Sequence, residues 1–141
     1  MATKEPEQMA TDDAILLKFL ALVEEEGIEV AVTLNVKGVV ISGLLVGASS
    51  YYEGITESSK QLSDSTMSKI MSKKLNNLKE AYFKQKQEDS DKEEQENAPT
   101  FIHLKNANYL NRDDQTFPSR SSTWWRGRIS SLDGFSFDFM D

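Results

Sequence analysis

Cysteine is absent from the chain, which excludes disulfides, thiolate zinc sites, iron–sulfur clusters and cysteine nucleophiles. There is one histidine, His103, so no histidine pair can hold a metal or relay a proton. No apolar run reaches the length of a membrane span, and the opening MATKEPEQMATDD is polar and acidic, unlike a secretory signal. The expectation is a cytoplasmic chain with no membrane partner. Positive charge is also scarce: the formal net charge is −7, so nucleic acid and anionic surfaces are repelled unless basic residues are concentrated in one place. The nucleotide cradles GxGxxG and GxxxxGK[ST] and the nucleophile elbow GxSxG are missing. With 141 residues, the chain has room for one hydrophobic core.

Residues 1–10 have little apolar content and read as a loose tail, with a single domain expected over 11–141. In TDDAILLKFLALVEEEG, Ile15, Leu16, Phe19, Leu22 and Val23 recur at helical spacing, with Thr11 or Asp12 as N-cap and Gly27 as the left-handed residue that ends the helix. A half-buried strand follows, with Ile28, Val30, Val32, Leu34 and Val36 on one face. Lys37 and Gly38 turn the chain, through either a type I turn with a glycine bulge or a two-residue loop; the registers differ by one residue. The return strand Val39–Val46 is apolar on both faces and interrupted by Gly43, the pattern of a central strand in a strongly curved sheet.

A helical insertion is predicted over about 56–84, carrying the stripe Met67, Met71, Leu75, Leu78 and Tyr82. The stripe suits a core contact first and self-association second. Residues 85–99 carry six acids against two lysines and read as a disordered acidic linker. The strand TFIHLKNANYL comes next, then a polar loop with Pro118, then STWWRGRISSLDGFSFDFMD. Reading SLDG as a turn makes the last segment a hairpin that pairs Ile129 with Phe137 and Arg128 with Asp138. Trp125, Ile129, Phe135, Phe137 and Phe139 then share the core face, and Trp124, Arg126 and Arg128 the other. Taken together, the pattern predicts an α+β fold, mainly antiparallel β: a small curved sheet or barrel with an N-terminal helix and a long helical and disordered insertion.

No catalytic, cofactor or metal site is expected. His103 alternates with Ile102 and Leu104 and reads as a packing residue, and acid pairs such as Asp113 and Asp114 belong to loops or helix starts. The arginines are more informative. All four, Arg112, Arg120, Arg126 and Arg128, lie in one C-terminal region beside both tryptophans. Planar guanidinium groups pair with carboxylates and stack on aromatic rings, so Arg120, Trp124, Arg126 and Arg128 are candidates for a partner-binding face. The bland alternative is a cross-strand ladder with Arg128 paired to Asp138. RNA could use the same residues, but four arginines in an acidic chain make a thin electrostatic footprint.

The blocks LNVKGVVISGLLV, FIHLKNA and WWRGRISSLDGF, in that order, resemble the gas vesicle accessory proteins of the GvpU family. The resemblance implies a non-enzymatic cytoplasmic protein associated with gas vesicles. It would act in assembly or clustering, with the vesicle shell protein or other vesicle proteins as partners. More loosely, the helix followed by VTLNVKGVVISGLLVG, IHLKNA and RGRI is similar to an Sm-like barrel, with helix, strongly bent sheet and closing hairpin. That second likeness implies a homo-oligomeric ring and an RNA-binding module as the alternative function, against which the acidic balance counts.

Overall fold

The structure, a computed structural model, describes residues 13–89, 100–110, 116–117 and 123–138. The expectations for residues 1–10, for Arg112 and Arg120, for Phe139 and for most of the acidic linker concern residues outside these. The described residues form two compact units, one built from 13–47 with 100–138 and the other from 48–89.

The first unit opens with α1 (Ala14–Glu26). Asp13, not Thr11 or Asp12, is the N-cap: its Oδ1 accepts from the backbone N–H groups of Ile15 at 2.9 Å and Leu16 at 3.1 Å, satisfying two donors the helix leaves unpaired. Gly27 ends it as expected, at φ 69°, with its N–H donated to the Val23 carbonyl. The buried stripe is Leu16, Leu20 and Val23, whereas Ile15 and Leu22 are exposed. The correction has a simple cause: with Leu or Ile at 15, 16, 17, 20 and 22, spacing allows two overlapping stripes, and only docking on the sheet chooses between them. Burying the three side chains stabilises by roughly 2 kcal/mol each.

The sheet follows from β1 (Val30–Val36) and β2 (Val39–Val46). Val36 pairs with Val39, so the loop is the two-residue alternative, with Lys37 at φ 51° and Gly38 at φ 87°, the left-handed pair that matches strand twist. Val30, Val32 and Leu34 are buried, while Ile28 precedes the strand and is exposed. β2 is central, flanked by β1 and by β3 (Phe101–Leu110). Ser42 pairs with Asn108 and Leu44 with Lys105, so Asn106 and Ala107 both oppose Gly43, and Asn106 takes φ 54°. This bulge bends the sheet.

The outer edge of β3 is shared. Its first half pairs with β5 (Trp125–Arg128) and its last two residues with β4 (Thr116–Phe117). A 3₁₀ turn, Ile129–Ser131, leads to β6 (Leu132–Phe137), which pairs with β1 at the opposite edge. The strand order is therefore β4-β3-β2-β1-β6, with β5 pairing the other half of β3, an antiparallel sheet curled into a half-barrel with α1 beside it.

The expected closing hairpin does not form. Phe101 faces Arg128, and Phe137 faces Val32. Asp138 accepts from the Thr33 hydroxyl at 3.0 Å and does not pair with Arg128. The misreading has a physical reason: Trp125, Ile129, Phe135 and Phe137 turn to the core in either arrangement, so burial parity cannot tell a hairpin from two strands on opposite edges. Asp133 decides the matter locally, because it sits at the β6 bulge and its Oδ2 accepts the Lys37 N–H at 2.8 Å.

The second unit is a helix hairpin of α2 (Ala48–Ser59) and α3 (Ser65–Asp89). The insertion thus begins at Ala48, earlier than the predicted 56, and α3 runs on through residues 85–89, which the sequence assigns to the acidic linker. Asp64 caps α3 through its Oδ1, which accepts from Met67 N–H at 2.9 Å. The Tyr52 and Tyr82 rings stack at 4.9 Å, and the Ser68 hydroxyl donates to the Ser59 carbonyl at 2.9 Å. Leu75 and Tyr82 are half-buried, but Met67, Met71 and Leu78 stay exposed, so the predicted stripe is core for only part of its length.

Candidate functional site

β5 alternates cleanly. Trp125 turns inward and packs against the core, its indole N–H donating to the Tyr109 hydroxyl at 2.9 Å. Arg126 and Arg128 are exposed on the other face. Gly127 lies directly beneath the Trp125 ring: a Cβ there would meet ring carbons at 2.9 Å or closer. The WRGR sequence therefore needs glycine so that the indole can lie flat along its own strand and reach Tyr109.

Direct cross-strand partners share a face. Because Arg128 pairs with Phe101 and Arg126 with His103, the two arginines stand with Phe101 and His103 on one surface of the sheet. The Arg126 guanidinium lies over the Phe101 ring, 4.0 Å from its centroid, a cation–π contact that fixes the orientation of an otherwise flexible side chain. His103 is 5% exposed. Burial, helped by the Arg126 charge and opposed by Glu24, lowers its pKa to about 4, so it is neutral at pH 7. The sequence placed His103 opposite Ile102 and Leu104, and that holds. What it missed is that the same face carries Arg126, because only the β3–β5 pairing joins them. Lys105, two residues on, is paired with Glu29 at 3.0 Å.

Of the predicted binding residues, Arg126 and Arg128 are brought together on β5, and Trp124, half-buried, directly precedes them. Arg120 lies outside the described residues. A shallow hollow between β1 and β6, lined by Thr33, Asn35, Gly134 and Ser136 among others, has no titratable group and sits on the opposite edge of the sheet from the arginines. Among the described residues there is no cluster of His, Cys, Asp or Glu suited to a metal ion, and no helix is long and apolar enough to cross a membrane.

Fold and site together define a class: a small α+β half-barrel whose edge strand presents two exposed arginines, one of them held over an aromatic ring. The chain matches the family described as Gas vesicle protein GvpU-like over residues 13–140 and belongs to it. It is thus a gas vesicle-related protein. No curated protein and no solved structure matches it.

Proposed function

We propose that this protein is a non-enzymatic cytoplasmic accessory of gas vesicles, associating with vesicle shells or other vesicle proteins and supporting their assembly or clustering. One observation carries the reading: in a gas vesicle family member, Arg126 and Arg128 are exposed on a strand whose other side is anchored by Trp125. Outward guanidinium groups, that of Arg126 held over the Phe101 ring, suit a carboxylate-bearing protein surface. Gathering vesicles requires at least two attachments per particle. The exposed Met67, Met71 and Leu78 on α3 offer the second, on a separate compact unit.

Co-flotation tests the shell contact. Purified protein is mixed with intact vesicles, the vesicles are allowed to rise, and the floated layer is assayed for wild type and for Arg126→Ala/Arg128→Ala. Wild type should float and the double variant should stay below. If neither floats, the protein does not bind shells directly; salt-sensitive retention of RNA lost in the same variant would then favour the nucleic-acid alternative.

A further inference from the structure

Among the described residues, exposed large apolar side chains are scattered over several elements, but four of them share α3. Met67, Ile70, Met71 and Leu78 are 53%, 56%, 42% and 55% exposed. At 3.6 residues per turn they occupy one arc of the helix, and Lys74 falls inside it. Leu75 and Tyr82 lie on the adjoining arc, where Tyr82 meets Tyr52 of α2. The helix therefore carries two apolar strips, one used by the hairpin and one facing solvent over roughly 17 Å.

The charge around the open strip is lopsided. Between Met67 and Lys86 there are six lysines and one acid, Glu80, in a chain of net charge −7. Glu80 accepts from the Asn76 amide at 3.2 Å. Lys69, Lys73 and Lys84 border the strip on the side away from α2 by helical position, and with Lys74 they form no ion pair among the described residues. A second copy is poorly suited as occupant: a two-fold pairing about the strip's centre brings Lys74 of both copies within about one helical turn. An anionic bilayer is poorly suited as well, because a helix lying in a membrane interface needs a wide free apolar face with cations on both flanks. Here α2 holds one flank.

We infer that the strip of Met67, Ile70, Met71 and Leu78 docks an acidic amphipathic helix of a partner protein, whose apolar side packs on these residues while its carboxylates meet Lys69, Lys73, Lys74 and Lys84. This goes beyond the shell contact and stands whether or not the arginines touch vesicles.

The probe is a fluorescently labelled synthetic helix with a leucine stripe flanked by glutamates, titrated with the full chain and followed by anisotropy. A control peptide carries glutamine in place of each glutamate. The chain should bind the glutamate peptide at least about tenfold more tightly than the control, a difference worth about 1.4 kcal/mol. Binding should weaken by a similar factor in Met67→Ser/Leu78→Ser and in Lys73→Glu/Lys74→Glu, and stay unchanged in Arg126→Ala/Arg128→Ala, which separates its failure from failure of the shell contact. Because every substituted side chain is exposed, circular dichroism should show an intact helix; Lys73→Gln/Lys74→Gln is the milder variant if it does not. Equal affinity for the two peptides, or indifference to both α3 variants, overturns the inference. So does a dimer in sedimentation that dissolves in Met67→Ser/Leu78→Ser, which assigns the strip to a second copy. Co-sedimentation with phosphatidylglycerol vesicles without peptide binding also overturns it and assigns the strip to lipid.

Discussion

At the scale of residues, His103 shows how one buried imidazole can govern a measurable property. Its free pKa of 6.5 falls to about 4 in the folded chain, so the unfolded state binds one more proton between those values. Stability contributed by the neutral imidazole is complete above pH 6.5 and is lost as pH falls toward 4. Over that window the loss is on the order of 3 kcal/mol. Urea unfolding at a series of pH values should show His103→Gln losing less stability than wild type on acidification, whatever its stability at pH 7. Arg126→Ala should flatten the slope in part, since the Arg126 charge helps to hold the imidazole neutral. Parallel slopes for all three proteins would mean that His103 titrates normally. The sequence revealed the parity of His103 but not its burial, because Val46 and Arg126, which flank it across the sheet, lie 57 residues before it and 23 after it.

Among the elements, what could be read from the sequence was whatever local periodicity determines: α1, the β1–β2 hairpin and β3 all appear close to where the pattern put them. What could not be read was pairing between distant segments. The last two strands share a short connection yet join opposite edges of the sheet, and α2 was missed because the stripe Ala48, Tyr51, Tyr52 and Ile55 in ASSYYEGITESS is short and set among serines, a glycine and acids. Its buried Thr56 and Ser59 hydroxyls instead donate to carbonyls of their own helix at 2.6 Å. The β1–β2 turn gives the sharpest test at this scale. Lys37 holds φ 51°, a conformation unfavourable for lysine and well tolerated by asparagine. Asp133 is bonded to the Lys37 backbone N–H, not its side chain, so the substitution leaves that bond in place. Lys37→Asn should therefore raise the unfolding free energy by up to about 1 kcal/mol, seen as a higher denaturant midpoint at unchanged slope. A lower midpoint would show that the lysine side chain stabilises the turn by a contact of its own.

Across the whole molecule, charge separates what its parts can do. The chain is acidic overall, while most of the exposed cations among the described residues gather at two places, Arg126 and Arg128 on β5 and the lysines of α3, with Lys18, Lys37 and Lys60 standing apart. A carboxylate-bearing vesicle surface would then be repelled at long range by the net charge and held at contact by the arginine pair. Salt acts on the two differently. Long-range repulsion fades once the Debye length drops from about 30 Å at 0.01 M to about 10 Å at 0.1 M, whereas contact pairs weaken mainly as it approaches about 3 Å at 1 M. Flotation with vesicles should therefore rise with added salt, peak at intermediate ionic strength and fall again, and Arg126→Ala/Arg128→Ala should remain low throughout. A bound fraction that only declines with salt would show that the net charge plays no part in the approach. One that persists at 1 M would shift the contact from the arginines to apolar surface, with Trp124 the residue to replace next.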